Sequence, residues 1–141
     1  ARAPQRLRGI SVKTLPFPGF PTDLQPQMMA LLSIAEGSSI VQEGIFESRF
    51  LHVPELQRMG AHIEVQGNSA VVTGVPALHG TDVRATDLRA GAALILAGLS
   101  ASDQTEMFGV EHVARGYEKI VEKLGHVGAR VEIIPCPDED A

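Results

Sequence analysis

The chain has 141 residues, of which 44% are hydrophobic and 21% are charged, and its formal net charge is −5 at pH 7. This length and composition predict about one globular domain with a sizeable core, and the acidic balance argues against a general nucleic-acid binder. No apolar run approaches the roughly 18 residues that span a bilayer, no secretory signal pattern is visible, and a single cysteine excludes an intramolecular disulfide. These features are typical of a cytoplasmic protein without membrane contact.

The first half of the chain carries alternating strand and helix patterns. Residues 1–8 are expected to be a lead-in, and residues 16–21 hold three prolines that exclude regular structure. Thr22-Asp23-Leu24-Gln25 then matches a capping box, which starts a helix. The elements predicted in this half are a strand within 9–15, this first helix as far as Gly37, a strand at 38–42, a helix at 53–59 and a hairpin of 61–66 and 69–73 around Gly67-Asn68.

The same order restarts after Gly74. The elements predicted in this half are a strand at 81–85, a helix at 87–99, a strand at 104–108, an amphipathic helix that carries Tyr117, Ile120, Val121 and Leu124 and ends at Gly125, and a strand at 129–134. Residues 135–141 contain two prolines and three acids and are expected to be a frayed tail.

The helix at 87–99 is the most apolar segment of the chain. Thr86 is a suitable N-cap residue, and Asp87 in the first turn is favoured by the helix dipole. From residue 88 to residue 99 the only charged side chain is that of Arg89. The pattern therefore predicts a helix that is buried on all sides.

An internal repeat relates the two halves. Thr22-Asp23-Leu24 recurs as Thr86-Asp87-Leu88, and residues 59–65 align with residues 127–133. Each half has a β-α-β-α-β order, and the first half adds one more strand.

The repeat predicts one unit at 9–74 and a second at 75–134. The second unit would end on an unpaired strand edge, which proteins usually avoid. The chain also starts at Ala1 rather than at a methionine. We therefore expect it to be a piece of a longer protein.

Asp23 and Asp87 are candidate acid–base residues, because the repeat puts them at equivalent helix starts. A helix N-terminus lowers the pKa of a carboxyl group and weakens it as a base at neutral pH, whereas closure over a substrate raises that pKa again. The alternative is that both residues only belong to well-capped helices.

Arg49, Arg89 and Arg115 are candidate anion ligands. Arg89 lies in the first turn of the apolar helix, and the other two precede the second helix of each unit. Arginine at such positions suits bidentate recognition of a carboxylate or a phosphate. The alternative is that they are surface arginines paired with Glu47 or Glu118.

The remaining candidate residues are less informative. Phe46 either stacks on a ligand or covers the core. The five histidines have no metal-ligand spacing with one another or with Cys136, which stands between two prolines near acidic residues and is expected to be a bystander. No metal or cofactor is therefore predicted, and neither G-x-x-x-x-G-K-[ST] nor G-x-G-x-x-G is present.

Four motifs follow one another along residues 9–134. They are Pro18-Gly19-Phe20-Pro21-Thr22-Asp23, Ile45-Phe46-Glu47-Ser48-Arg49-Phe50, Ala85-Thr86-Asp87-Leu88-Arg89-Ala90 and Arg115-Gly116-Tyr117-Glu118. Together they closely resemble the UDP-N-acetylglucosamine 1-carboxyvinyltransferase (MurA) family of enolpyruvyl transferases. The related family that makes 5-enolpyruvylshikimate-3-phosphate fits these motifs less well.

The resemblance implies an α/β fold in which each of two domains is an inverse α/β barrel of three β-α-β-α-β-β units, with helices inside and sheets outside. This chain then supplies two of the three units of the C-terminal domain. The family's cysteine proton donor and its lysine lie in the missing upstream portion, and Cys136 does not match the motif of that cysteine. We therefore expect no turnover from the chain alone.

The resemblance also implies a reaction and roles for the site residues. The family transfers enolpyruvate from phosphoenolpyruvate to the 3-hydroxyl of UDP-N-acetylglucosamine and releases phosphate, in bacterial peptidoglycan synthesis. By the motifs, Asp23 binds that hydroxyl and takes its proton, Asp87 is the second carboxylate, and Ile45 and Phe46 contact the nucleotide sugar. Three arginines hold the phosphoenolpyruvate anion: Arg49, Arg89 and Arg115. The last of these moves in with domain closure and stabilises developing charge.

Two other classes of function stay open from the residues alone. One is a self-standing binding module that holds an anionic ligand at its two helix starts. The other is a structural piece that assembles with itself through an open sheet edge.

Overall fold

The computed structural model describes residues 2–3, 5–47 and 49–135. Most of the predicted tail, with Cys136, lies outside the described residues. The strands are β1 (Ser11–Lys13), β2 (Ser38–Gln42), β3 (His62–Gln66), β4 (Ser69–Thr73), β5 (Asp82–Arg84) and β6 (Glu106–Phe108). The helices are a 3₁₀ turn (Thr22–Leu24), α1 (Gln25–Leu32), α2 (Val53–Arg58), α3 (Leu88–Ser100), α4 (Val110–Ala114) and α5 (Ile120–His126).

The strands form a four-stranded sheet of order β1-β2-β4-β3 and a two-stranded sheet of β5 and β6. β1 runs parallel to β2, β4 is antiparallel to both of its neighbours, and β5 runs parallel to β6. The predicted hairpin is confirmed, since Gln66 lies opposite Ser69 and leaves Gly67-Asn68 as a two-residue turn. Gly67 has a φ of +58°, which such turns require and which glycine adopts without strain.

One hydrophobic cluster joins the four-stranded sheet to the helices. Alternate residues of the strands are buried on one face of the sheet, as the period of two requires, and Met29 of α1 and Leu56 of α2 belong to the same cluster. Leu94 of α3 and Val83 of β5 complete it from the second half of the chain. Because α1 packs along α3, the starts of these two helices lie side by side. The division into units at 9–74 and 75–134 stays a prediction.

The prediction that the apolar helix is buried on all sides is wrong. Ala90, Ala93 and Leu94 are buried, but Leu96 and Leu99 on another face of α3 are 45% and 41% exposed. The apolar sequence shows that the whole helix can be buried, whereas exposure depends on which other elements cover each face. Within the described part of the chain, that second face of α3 is only partly covered.

The predicted capping box at Thr22 is also wrong. The chain enters α1 through the 3₁₀ turn, whose N-cap is Pro21 and has no side-chain capping bond. The Thr22 hydroxyl instead donates to Glu43 Oε1 at 2.7 Å. The Thr22 hydroxyl therefore bonds the carboxylate of Glu43, which is distant in sequence. The local pattern predicts a bond to a backbone N–H group of the helix instead.

In the second half, Asp87 rather than Thr86 is the N-cap of α3. Asp87 has an extended backbone, and its Oδ1 accepts hydrogen bonds from the N–H groups of Arg89 (2.9 Å) and Ala90 (3.0 Å). Thr86 only donates its hydroxyl to Asp87 Oδ2 at 3.2 Å. Asp87 therefore has the capping role that the sequence predicts for Thr86, and Thr86 lies before the helix.

The end of the chain departs most from prediction. α4 was not predicted, Lys119 between α4 and α5 has a φ of +50°, and α5 continues past Gly125 to His126. Residues 129–134 form no strand. In the first half β3 is held by β4 along its whole length, and no described residue pairs with 129–134 in that way, so this segment has no ladder to join.

Shortening a buried leucine of α3 tests the observed burial. Leu94→Ala removes a side chain that is 1% exposed and should lower the free energy of unfolding by about 2–5 kcal/mol, through lost burial and a cavity. Leu96→Ala, on the exposed face of the same helix, should cost less than about 1 kcal/mol. Urea unfolding of both variants measures the difference, and equal losses would contradict the burial described above.

Removing each residue before α3 tests which one caps it. Asp87→Ala leaves two helical N–H groups without an acceptor and should cost about 1 kcal/mol of stability. Thr86→Ala should stay within about 0.5 kcal/mol of the parent, because its hydroxyl caps nothing. Thermal unfolding followed by circular dichroism distinguishes them, and a larger loss for Thr86→Ala would reverse the assignment.

Candidate active site

Three of the sequence-predicted site residues meet at the side-by-side starts of α1 and α3. Asp23 lies in the 3₁₀ turn before α1, and its Oδ1 accepts a hydrogen bond from Arg89 Nε of α3 at 2.5 Å. The same oxygen accepts a second bond from Arg49 Nη1, which comes from the loop between β2 and α2, at 3.3 Å. One carboxylate oxygen thus joins residues from three distant segments.

The two arginines determine the protonation of Asp23. The hydrogen bond from Arg89 is the largest influence and lowers the pKa of Asp23, partial burial opposes it, and the charges of Arg89 and Arg49 lower the pKa further. The side chain is 64% exposed and ionised at neutral pH. While it is paired in this way, Asp23 is a weak base.

Arg49 is held from two further sides. The Thr22 hydroxyl accepts a bond from Arg49 Nη1 at 3.1 Å, and the guanidinium carbon lies 3.9 Å from the centre of the Phe46 ring. This distance is typical of a cation–π contact. Phe46 therefore lies beneath Arg49 at the surface rather than over the core, and Arg49 pairs with Asp23 rather than with Glu47.

Asp87 lies near Arg89 but has a different environment from Asp23. Burial raises its pKa, and the N–H groups of Ala90 and Arg89 and the Thr86 hydroxyl outweigh burial, so that the pKa of Asp87 is below its usual value. Its carboxylate is therefore ionised and engaged at the start of α3. The two aspartates that the repeat equates are not structurally equivalent.

A cleft of about 250 Å³ opens between these residues. It is lined by Pro26, Arg49, Leu51, His52, Asp87, Arg89 and Ala90. Two guanidinium groups and a carboxylate on its wall suit a small polar ligand.

The predicted sugar contacts lie in a neighbouring shallow hollow. Ile45 and Phe46 line it together with Glu43, Gly44, Glu47, Gly67 and Asn68. Because Arg49 lines the cleft and stacks on Phe46, the two depressions share one wall.

Arg115 is the predicted site residue that the structure does not bring to the cleft. It is exposed at the end of α4 and forms no ion pair with any described residue, Glu118 included. Its segment is tied to α1 by a hydrogen bond from Gln27 Nε2 to the Tyr117 hydroxyl at 3.3 Å. A role for Arg115 in anion binding stays a prediction.

His52 is a cleft residue that sequence reasoning missed. It is 2% exposed, and its Nε2 lies 3.3 Å from Met29 Sδ. Burial lowers the pKa of His52 to about 4, although the nearby Asp87 charge opposes the change. The imidazole is therefore neutral at neutral pH, and no local spacing indicated it, because its surroundings come from three separate elements.

Within the part of the chain that the structure describes, no group of three or more His, Cys, Asp or Glu side chains is placed to hold a metal ion. Over the same residues, no helix has both the length and the apolar character that crossing a membrane requires.

The neutral state of His52 predicts a loss of stability in mild acid. Because its pKa falls from the usual 6.5 to about 4 on folding, the unfolded chain takes up a proton that the folded chain does not. The part of the unfolding free energy that depends on a neutral His52 is about 3 kcal/mol. It is fully present above pH 6.5 and is lost as the pH falls towards 4.

Unfolding by urea across this pH range measures the effect. His52→Gln, which cannot be protonated, should flatten the dependence. His62→Gln, at an exposed position on β3, is the matched control. Equal slopes for all three proteins would rule out a buried neutral His52.

Residues 1–124 match the family model described as EPSP synthase (3-phosphoshikimate 1-carboxyvinyltransferase). A curated relative from Symbiobacterium thermophilum, UDP-N-acetylglucosamine 1-carboxyvinyltransferase 3, is 57% identical over 129 residues, which are 92% of this chain and 30% of that protein. The Thermotoga petrophila UDP-N-acetylglucosamine 1-carboxyvinyltransferase is 55% identical over 130 residues, 92% of this chain and 31% of the relative.

Solved structures give the same result for the fold. The enolpyruvyl transferase NikO from Streptomyces tendae superposes with a TM-score of 0.81 at 36% identity, covering 91% of this chain and 30% of NikO. EPSP synthase from Acinetobacter baumannii, with a TM-score of 0.53 at 18% identity over 81% of this chain and 27% of that one, shares the fold alone. The predicted α/β fold of the inverse α/β barrel type is confirmed.

The chain spans about 30% of the length of the curated relatives that it matches. The resemblance drawn from the four motifs is confirmed by these matches, and the chain belongs to the EPSP synthase (3-phosphoshikimate 1-carboxyvinyltransferase) family.

Proposed function

We propose that this chain is part of a UDP-N-acetylglucosamine 1-carboxyvinyltransferase, in which it forms one wall of the active site. The enzyme transfers the enolpyruvyl group of phosphoenolpyruvate to the 3-hydroxyl of UDP-N-acetylglucosamine and releases phosphate. The identity of 54–58% to relatives of that name supports this choice over an EPSP synthase activity. We also propose that it acts in the cytoplasm in peptidoglycan synthesis, with two of the three repeated units of one domain in this chain.

The observation that carries the proposal is the Asp23 oxygen shared by Arg49 and Arg89, two arginines that both line the cleft. In the proposed reaction Asp23 takes the proton of the sugar 3-hydroxyl as the hydroxyl oxygen forms a bond to the phosphate-bearing carbon of phosphoenolpyruvate. The bond from that carbon to the phosphate oxygen then breaks and phosphate leaves. Arg49 and Arg89 bind the carboxylate or phosphate of phosphoenolpyruvate, which then competes with Asp23 for them. Loss of these cationic partners raises the pKa of Asp23, so anion binding makes it a stronger base.

The remaining residues have supporting roles in the proposal. Asp87 fixes the first turn of α3, and so the backbone of Arg89, through its two bonds to N–H groups. Ile45 and Phe46 contact the nucleotide sugar in the shallow hollow, and Arg115 approaches the anion when the enzyme closes. Because the chain spans about 30% of its relatives, the rest of the enzyme is required, and this chain alone has no turnover.

A chimera tests the proposal. The matched segment of this chain replaces the corresponding segment of the Thermotoga petrophila relative, and phosphate release is measured with UDP-N-acetylglucosamine and phosphoenolpyruvate. The chimera should be active, Asp23→Asn should lower kcat about 100-fold or more, and Arg89→Ala should raise the KM for phosphoenolpyruvate. Arg84→Ala, on β5 beside Phe108, is the matched control and should change neither constant.

Two outcomes would contradict the proposal. Turnover of shikimate 3-phosphate in place of UDP-N-acetylglucosamine would favour the EPSP synthase alternative. Phosphate release by the 141-residue chain on its own would show that the rest of the enzyme is not required.

A further inference from the structure

Glu43 is a buried carboxylate to which the proposed reaction gives no part. It follows β2 and is 2% exposed. Its backbone is fixed to the hairpin turn, since its N–H donates to the Asn68 carbonyl at 2.7 Å and its own carbonyl accepts from Asn68 Nδ2 at 3.2 Å. None of the ion pairs between described residues includes it. An unpaired buried charge is costly unless hydrogen bonds replace its water shell.

Every partner of the Glu43 carboxylate is a hydrogen-bond donor. Oε1 accepts from the Thr22 hydroxyl (2.7 Å) and Gln25 Nε2 (3.5 Å), and Oε2 accepts from the Thr14 hydroxyl (2.7 Å) and the N–H groups of Ile45 (3.0 Å) and Phe46 (3.3 Å). Burial raises the pKa of Glu43, but these hydrogen bonds outweigh burial and leave the pKa below its usual value. The Glu43 carboxylate is therefore ionised and only accepts hydrogen bonds.

Oε1 controls the direction of the hydrogen bonds that lead to Asp23. Because a carboxylate only accepts, Thr22 must give its single hydroxyl proton to Glu43, and its lone pairs then face Arg49 Nη1 at 3.1 Å. The same Nη1 reaches Asp23 Oδ1 at 3.3 Å. Glu43, Thr22, Arg49 and Asp23 thus form one chain with a fixed polarity.

Oε2 controls the other side of Arg49. Its bonds to the N–H groups of Ile45 and Phe46 hold the turn that carries the Phe46 ring, and this ring lies beneath the Arg49 guanidinium. Gln25, which bonds Glu43, also donates from Nε2 to the Arg49 carbonyl at 3.1 Å. The hydroxyl, the ring and the backbone that position Arg49 are all linked to Glu43.

We propose that Glu43 is a positioning residue of the proposed active site: its carboxylate holds the Thr22 hydroxyl and the turn at residues 45–46 so that Arg49 meets Asp23 in one geometry. This inference rests on the proposed function. Although Glu43 belongs to the lining of the hollow, its side chain is almost completely buried, and it acts through Thr22, Ile45 and Phe46.

Glu43→Gln is a sharp test because it keeps the shape and removes one acceptor. Three donors converge on the Oε2 position and two on the Oε1 position, so the new amide oxygen should take the Oε2 position and its NH₂ should face Thr22. The Thr22 hydroxyl then accepts from that NH₂ and turns its proton towards the Arg49 N–H groups. The Thr22 hydroxyl and the Arg49 N–H group then point their protons at each other, and this repulsion displaces the Arg49 side chain.

In the chimera, Glu43→Gln should lower kcat/KM for UDP-N-acetylglucosamine by roughly 10- to 100-fold, since small misplacements of site groups have effects of this size. The KM for phosphoenolpyruvate should rise as well, because the displaced Arg49 is one of its two proposed ligands, and Arg89 shares the Asp23 oxygen with Arg49. Thr22→Val should give a similar loss, Thr22→Ser should retain activity, and the double variant of Glu43→Gln with Thr22→Val should lose little more than either alone. Glu64→Gln, an exposed glutamate of β3, is the matched control.

A second readout separates this inference from the proposed function. Nuclear magnetic resonance of the Arg49 side-chain N–H groups should show a shift in Glu43→Gln and none in Glu64→Gln, whether or not the chimera turns over. If the parent chimera is inactive and Glu43→Gln still shifts the Arg49 signals, the proposed function is refuted and the role of Glu43 in positioning Arg49 is supported. Unchanged Arg49 signals, kcat/KM within twofold of the parent, or losses that multiply in the double variant would each overturn the role of Glu43.

Discussion

The site depends on one interaction, the pair of hydrogen bonds that Asp23 Oδ1 accepts from Arg89 and Arg49. No local pattern produces it, since the three residues come from a 3₁₀ turn, a helix start and a loop. It exists because α1 and α3 pack side by side, with Met29 and Leu94 in one hydrophobic cluster. Apolar burial, which is non-directional, brings the two helix starts together, and directional charged hydrogen bonds then define the geometry there.

The two Thr-Asp-Leu segments show how equal sequences take unequal roles. At the second, Asp87 has φ −158° and ψ 174°, and its carboxylate bonds the N–H groups of its own helix. At the first, Pro21 precedes a 3₁₀ turn and the Thr22 hydroxyl is bonded to Glu43, so Asp23 is left to meet the arginines. The threonine hydroxyl bonds a distant glutamate in the first segment and the neighbouring aspartate in the second. A repeat in sequence therefore guarantees neither an equivalent backbone nor equivalent chemistry at the paired positions.

Sequence patterns predict the features that depend on short-range interactions and miss those that depend on partners far away in the sequence. β2, the hairpin and α2 were predicted closely because glycine turns and alternating burial are local signals. The exposed Leu96 face and the absent strand at 129–134 were not, since both depend on what packs or pairs alongside. The motifs identified Asp23, Arg49 and Arg89, and the structure joins them. Glu43 and His52 were missed because a buried polar residue has no periodicity, and its partners become visible only in three dimensions.

The charges of the site argue that this chain does not bind an anion on its own. Asp23, Asp87 and Glu43 all have lowered pKa values and are ionised at neutral pH, whereas Arg49 and Arg89 are the two cations that meet them and His52 is neutral. Asp23 already pairs with both guanidinium groups, so a phosphate or carboxylate ligand has to compete with it and gains little attraction from this wall alone. This weakens the interpretation as a self-standing anion-binding module. Under the proposed function, further cations have to face the cleft for phosphoenolpyruvate to bind, and a site shared with the rest of the proposed enzyme would supply them.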